Sequence, residues 1–398
     1  PPRSTLFPYT TLFRSPGRSV FADRTEGFRP VQHLRNLLKN MDPYLLLWPF
    51  VLAMIGFVMI GSTAYEGGFV LDRNMLKQFL AFGLGITVLI LSILFDYKRI
   101  FDIEKFLYPL TILFLLSVYT PLGSVQNGTR GWLELGSLHL QPAELGKVLF
   151  ILLFAGYLTR HRKEILDIKG ILKALLYAAP VIVIVVLQND LGNALVYCFI
   201  AAVMLVVAGA AYKPLGMMAL TAVILSPLVY MVLQPHQQQR IIAFFHPNDT
   251  TLAGNYQVWQ AKMAIGSGGL AGKGLFMGTQ KGLDWLPVQE SDFIFAVIGE
   301  ELGFLGGGFL LLVFGAFLYK LLKAGEAAED TFGEYIVYGI FAMLFFQVFE
   351  NVGMNLGIMP VTGITLPFVS YGGSSLLTNM TALALVLNVN IRSRLITF

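Results

Sequence analysis

The chain has 398 residues, of which 56% are hydrophobic and 13% charged, with a formal net charge of +4. A soluble domain is on average about a quarter charged, so this composition excludes a string of water-soluble domains and points to a polytopic membrane protein. A single cysteine, Cys198, excludes an intramolecular disulfide, five scattered histidines give no zinc pattern, and a modest positive charge needs no nucleic acid to explain it in a membrane protein with basic inner loops.

The opening PPRSTLFPYTTLFRSPGRS has neither the h-region nor the cleavage site of a signal peptide. It resembles a translated sequencing-adapter read, and roughly the first fifteen residues are set aside on that ground. The rest of the segment 1–43 carries Arg18, Arg24, Arg29, Arg35 and Lys39, as suits a cytoplasmic tail. From 44 to 398 the chain reads as one all-α transmembrane domain. A span needs about twenty mainly apolar residues. The stretches that qualify are Tyr44–Ser62, Leu76–Phe95, Phe106–Leu122, Glu144–Thr159, Ile171–Gln188, Asn193–Ala211, Leu215–Leu233, Phe293–Leu322, Glu334–Ile358 and Pro367–Val389. About ten helices put both termini on one side. Lys98, Arg99, Lys105, Arg160, Arg162, Lys163, Lys169, Lys213, Lys323, Arg392 and Arg394 fall on that side, against little more than Arg73 and Arg130 opposite. The positive-inside rule therefore makes both termini cytoplasmic.

The same rule sets the long connection 234–291 outside. Phe244, Phe245, Tyr256, Trp259, Ile265, Leu270, Trp285 and Leu286 give it apolar anchors, which predicts short amphipathic helices at the outer interface, with both tryptophans at headgroup depth. Its run GSGGLAGKG, Gly266–Gly274, reads as a flexible turn or, less often, as a loop whose amides cradle phosphate, although it lacks Walker spacing.

Ionisable residues within a span are costly and mark a functional path or a buried pair. Glu144 and Lys147 stand three apart and share a helix face. They form either a charged site facing an outer cavity or an ion pair that only orients helices. Asp292 immediately precedes an apolar helix. A plain helix cap explains it, and so does an acid acting on a substrate at the outer surface. Glu300 and Glu301 need partners, for which Lys147 is one candidate. The segment PVTGITLPFVSYGGSS, Pro360–Ser375, is too rich in Pro and Gly for a regular helix. Non-helical backbone at membrane depth survives only where it is buried or lines a watery cavity. Asp190, Asn351 and Asn355 add polar groups on the same outer side, so the working face is outside.

Seven motifs, NGTRGW, QPAELGK, QNDLG, QQQRIIAFFHP, AIGSGGLAGKG, ESDFIFAVIGEELGF and PVTGITLPFVSYGGSS, follow one another in the order seen in SEDS proteins, the shape, elongation, division and sporulation family. The chain resembles that family over nearly its whole length beyond about Asp42. GKGLFMGTQKGLDWLP looks more like the elongation member RodA than the division member FtsW. The resemblance implies a ten-span peptidoglycan glycosyltransferase of the bacterial cytoplasmic membrane that polymerises lipid II at its outer face. It also implies Asp292 as the essential acid, Glu144 and Lys147 as the family's charged pair, Arg130 in its outer-loop arginine motif, and a class B penicillin-binding protein of the elongation machinery as partner. Val288 stands where relatives commonly have Glu, Ser291 where they have Thr, and Asn189 where they have Pro.

That chemistry fits the residues. The acceptor 4-hydroxyl must lose its proton as it attacks C1 of the donor, and one outer carboxylate can take it. An inverting displacement needs no carboxylate nucleophile. The leaving lipid pyrophosphate needs charge stabilisation, for which Arg130, Lys147, Arg240, Lys262 and Lys273 are candidates, with Glu144 and Ser370 completing the substrate site. A divalent cation, Mg2+ or Mn2+, could share that work, although no all-protein metal cage is written in the sequence. The rivals are a lipid II flippase, which would use the buried charges, and a non-catalytic scaffold for a synthase. Asp292→Asn separates them, because only the polymerase must lose its activity while folding normally.

Overall fold

The computed structural model describes residues 41–65, 73–126, 128–136, 138–252, 254–279 and 288–395. The expected tail 1–43 lies almost wholly outside the described residues, as do Trp285 and Leu286. The helices are α1 (Pro43–Thr63), α2 (Arg73–Leu94), α3 (Lys98–Leu116), α4 (Pro142–Arg160), α5 (Ile168–Leu187), α6 (Leu191–Val207), α7 (Tyr212–Val232), α8 (Pro235–Phe245), α9 (Asn255–Gly268), α10 (Ile294–Glu326), α11 (Thr331–Leu356) and α12 (Gly373–Leu395). Every expected span falls on one of them. Among the described residues, seven helices (α1, α2, α4, α5, α10, α11 and α12) are long and apolar enough to cross a membrane, and α6 is a shorter apolar helix.

Two of the expected starts differ by more than a helical turn. The third span begins at Lys98, because KRIFDIEKF, expected as an inner loop, winds into the first turns of α3. The last begins at Gly373, since Pro367 and the glycines around Tyr371 hold residues 357–372 in irregular structure. A third departure is a small antiparallel sheet, β1 (Gly123–Gln126), β2 (Thr129–Leu135) and β3 (Leu138–Leu140), with Gly123 opposite Leu133 and Leu133 opposite Leu140. Its signal in the sequence is the alternation of Leu133–Glu134–Leu135 and Leu138–His139–Leu140 about Gly136, which the span-length reading passed over.

The least apolar of the seven spans, α12, has 89% of its apolar window buried, against 22% for α2 and 33% for α5. Lipid cannot satisfy Thr378, Asn379, Asn388 and Asn390, so the helix bearing them becomes the inner post and the more apolar helices face outward. Helix α2 lies along that post. The Gln78 amide donates to Ser370 O at 3.1 Å and accepts from Gly372 N at 3.1 Å, and Asn388 donates to Phe95 O at 2.6 Å.

The long connection 234–291 contributes α8 and α9. Helix α9 is not a free interfacial helix: Ala261 and Ala264 are buried against Phe293, Ala296 and Met354, at the N-terminal end of α10 and the C-terminal end of α11. Behind it, the Gly-rich run docks on a break in α10 at Gly303, where φ is 66° and ψ −164°. Lys273 N and Gly274 N donate to the carbonyls of Glu300 and Glu301, both at 3.0 Å.

Candidate active site

Segments 288–292 and 360–375, the sheet, and the N-terminal ends of α4 and α6 enclose a cavity of about 320 Å³. Its wall includes Asp292, Glu144, Asp190, Arg240, Thr362 and Ser374.

Asp292 is half-buried on that wall. It does not cap α10: the cap residue is Phe293, with no side-chain cap bond. The carboxylate instead accepts from Ser291 Oγ at 2.9 Å, so Ser in place of Thr keeps the hydroxyl contact. Position 292 is fixed through its main chain. Asn351 Nδ2 donates to Asp292 O at 2.9 Å and to Ile364 O at 2.8 Å, and Asn355 Nδ2 donates to Asp292 O at 3.1 Å. Tyr371 N donates to Glu290 O at 2.8 Å. Ser370 Oγ donates to Ser291 O while accepting from Leu366 N at 2.8 Å, so Ser370 braces the loop from behind and does not line the cavity. Just upstream, Val288 has φ 57°, which a β-branched residue adopts only where its surroundings impose it. Burial raises the Asp292 carboxyl above the ordinary aspartate range. The Ser291 hydrogen bond and the Arg240 charge work against that rise, and Glu290 adds to it.

Glu144 and Lys147 do pair. The ammonium lies 2.8 Å from Glu144 Oε1, with Lys147 fully buried and Glu144 presented to the cavity. Glu144 Oε2 has no hydrogen-bond partner among the described residues. Beside it, Asp190 accepts from Asn193 N at 3.0 Å and from Gln141 Nε2 at 2.9 Å, which ties the ends of α4 and α6 together.

The remaining candidate cations separate. Arg240, on α8, lines the main cavity and also a narrow cleft of about 20 Å³ that it shares with Lys262 of α9. Arg130 and Lys273 do not line the cavity. Arg130 lies over the Tyr119 ring at 5.4 Å and donates to Val118 O at 3.3 Å, drawn there by the sheet that carries it. Lys273 pairs with Glu300 at 2.7 Å. Lys147, engaged with Glu144, is not the partner of Glu300 or Glu301. The residues that follow the Gly-rich run take that part: Thr279 N donates to Glu300 at 2.9 Å, and Phe276 N and Gly278 N donate to Glu301 at 3.1 and 3.3 Å. Of the run proposed as a phosphate cradle, the Lys273 and Gly274 amides are spent on the main-chain carbonyls of Glu300 and Glu301. Among the described residues, no three His, Cys, Asp or Glu side chains come together to hold a metal ion.

The sequence reading passed over Thr362, Gln141 and Ser374, although each sits in a motif it quoted, and over Glu350. A lone acid inside the apolar run of α11 was the available signal for Glu350. Its side chain is 1% exposed and accepts from the Thr362 hydroxyl.

Residues 43–395 match the family described as cell cycle protein, FtsW/RodA/SpoVE. The chain is 35% identical to stage V sporulation protein E of Bacillus subtilis, with 89% of this chain and 98% of that protein covered. It is 36% identical to the probable peptidoglycan glycosyltransferase FtsW of Saccharophagus degradans, covering 89% and 93%. Against the peptidoglycan glycosyltransferase MrdB of Escherichia coli K12 the identity is 32%, covering 90% and 95%. Among solved structures it is similar to one described as "Structural coordination of polymerization and crosslinking by a peptidoglycan synthase complex", with TM-score 0.76, 31% identity and coverage of 89% and 98%. It is also similar to the rod shape determining protein RodA of Thermus thermophilus, with TM-score 0.65, 30% identity and coverage of 89% and 97%.

Proposed function

Because the chain belongs to the FtsW/RodA/SpoVE family of cell cycle proteins, we propose that it is a peptidoglycan glycosyltransferase that polymerises lipid II at the outer face of the cytoplasmic membrane. The observation that carries this reading is a half-buried carboxylate, Asp292, braced through its own main chain on the wall of a cavity large enough for sugar rings.

Asp292 acts as the general base on the acceptor 4-hydroxyl. Its raised affinity for protons brings it closer to the alcohol it must deprotonate than an ordinary aspartate would be. Attack on C1 inverts that centre and expels the lipid pyrophosphate. Arg240 is the cavity-lining cation that takes up the developing charge, and Lys262 sits in the adjoining cleft. Glu144, paired with Lys147, gives the cavity wall a charged edge beside the substrate. A Mg2+ or Mn2+ ion would arrive with the pyrophosphate, since such ions are commonly held by one or two carboxylates plus substrate phosphates.

GKGLFMGTQKGLDWLP supports a RodA-like member acting in elongation, although relatives named for division, elongation and sporulation match about equally well. The likeness to a peptidoglycan synthase complex supports a class B penicillin-binding protein as partner. Loop charges support cytoplasmic termini.

The test is purified protein with its class B partner and labelled lipid II, comparing wild type with Asp292→Asn. Glycan ladders from wild type alone are expected. Equal polymer from both proteins would remove Asp292 from the chemistry, and no polymer from either would point to lipid translocation.

A further inference from the structure

Thr362 and Gly363 separate two carboxylates. On the cavity side, a Cβ built on Gly363 would lie 3.4 Å from Asp292 Oδ2, so the catalytic carboxylate rests against this stretch of backbone. On the protein side, Thr362 Oγ1 donates to Glu350 Oε1, while Glu350 Oε2 has no hydrogen-bond partner among the described residues. The charged groups that act on Glu350 are Asp292 and Arg240. Thr362 itself lines the cavity. It cannot back away, because a Cβ on Gly192 of α6 would already lie 2.9 Å from Thr362 O and 3.3 Å from Thr362 Cβ.

A buried acid in a membrane helix is costly, and satisfying one threonine does not require it. A threonine hydroxyl has one proton to give and two lone pairs. With its proton committed to Glu350, Thr362 keeps only acceptor capacity, so what it can bind in the cavity is an N–H or O–H. Left free to rotate, the same hydroxyl could equally donate. We propose that Glu350 is a positioning residue that fixes the Thr362 hydroxyl as a hydrogen-bond acceptor for a sugar hydroxyl or acetamido N–H of the glycan substrate. This rests on the glycosyltransferase reading for the identity of the substrate.

The test measures lipid II binding in the Asp292→Asn background, where no turnover occurs, together with KM and kcat in the otherwise wild-type protein with its partner. Thr362→Val and Glu350→Leu should each weaken binding and raise KM about 3- to 10-fold, the usual range for one hydrogen bond, with kcat changed by less than about twofold. The double variant should be no worse than Thr362→Val, and Glu350→Gln, whose amide oxygen still accepts the hydroxyl, should recover most of the affinity. Additive losses, a fall in kcat alone, or Glu350→Gln as damaging as Glu350→Leu would each overturn the proposal. Should Glu350→Leu not fold, Thr362→Val set against Glu350→Gln still decides it. If the wild type binds lipid II without polymerising it, the functional reading fails while this inference is still judged on binding. If it does not bind lipid II, this inference falls.

Discussion

Gly303→Ala should unsettle the protein more than any other alanine in α10. With φ 66° and ψ −164°, Gly303 occupies a region that is essentially glycine's own, and another residue there is strained by about 1–3 kcal/mol. Space is closed as well. A Cβ at 303 would lie 2.3 Å from Gly272 N and 2.7 Å from both the carbonyl carbon and oxygen of Leu270, all main-chain atoms that cannot swing aside. Relief requires the loop to lift, which gives up Phe304 N to Gly269 O at 2.8 Å, Leu305 N to Leu270 O at 3.1 Å and the Lys273 and Gly274 donations to Glu300 and Glu301. At about 1 kcal/mol net for each of these four bonds the lifted loop costs about 4 kcal/mol, so with the strain as the lower route the loss is about 1–4 kcal/mol. The assay is thermal unfolding in detergent, with Gly308→Ala as the internal standard. At Gly308 a Cβ meets nothing within 4 Å, so that variant should equal the wild type or gain up to about 1 kcal/mol in helix propensity. A Gly303→Ala protein as stable as the wild type, or two variants that melt alike, would refute the reasoning.

Asp292→Asn should lower polymerisation about 10²- to 10⁴-fold, the range for a lost general base, with an unchanged melting temperature. As a base Asp292 works deprotonated, so activity is present above its raised pKa and lost as pH falls through it. The acid limb of the kcat/KM profile should therefore lie above the ordinary aspartate value of about 3.9. Arg240→Gln removes a charge that favours the anion and should move that limb to higher pH; a downward shift would contradict the assignment. Lys147→Met strands a buried carboxylate and should cost about 3–5 kcal/mol in thermal unfolding, most of it recovered in Glu144→Gln/Lys147→Met. Asn351→Ala releases Ile364 O and leaves Asp292 O held by Asn355 alone, and single-turnover kinetics should register a slower chemical step with lipid II binding retained.

Helices were legible wherever about twenty apolar residues ran together, because the bilayer allows little else. Asp292 and the Glu144–Lys147 pair were legible by motif and by spacing. Arg130 and Lys273 show where spacing ends: a cation's sequence position says nothing of which carbonyl or carboxylate captures it, and here these were Val118 O and Glu300. The sheet was passed over rather than hidden, since Leu133–Glu134–Leu135 and Leu138–His139–Leu140 alternate about a glycine turn. The role of the Gly-rich run was hidden because its partners, Glu300 and Glu301, arrive only after the intervening loop. Glu350 could have been found, since a single acid among phenylalanines and valines is as conspicuous in a span as Asp292 is beside one.

The burial of α12 has a consequence for biogenesis. Its partner α2 emerges from the ribosome roughly three hundred residues earlier, with Gln78 still lacking the Ser370 and Gly372 groups that will satisfy it. Until the last of the described helices is inserted, the bundle has no central post, and the earlier spans must wait in the bilayer with polar groups exposed to lipid or held by an insertion chaperone. Nonsense mutations anywhere upstream of α12 should therefore behave alike, yielding products that membrane quality control removes, however much of the Asp292 region has already been made.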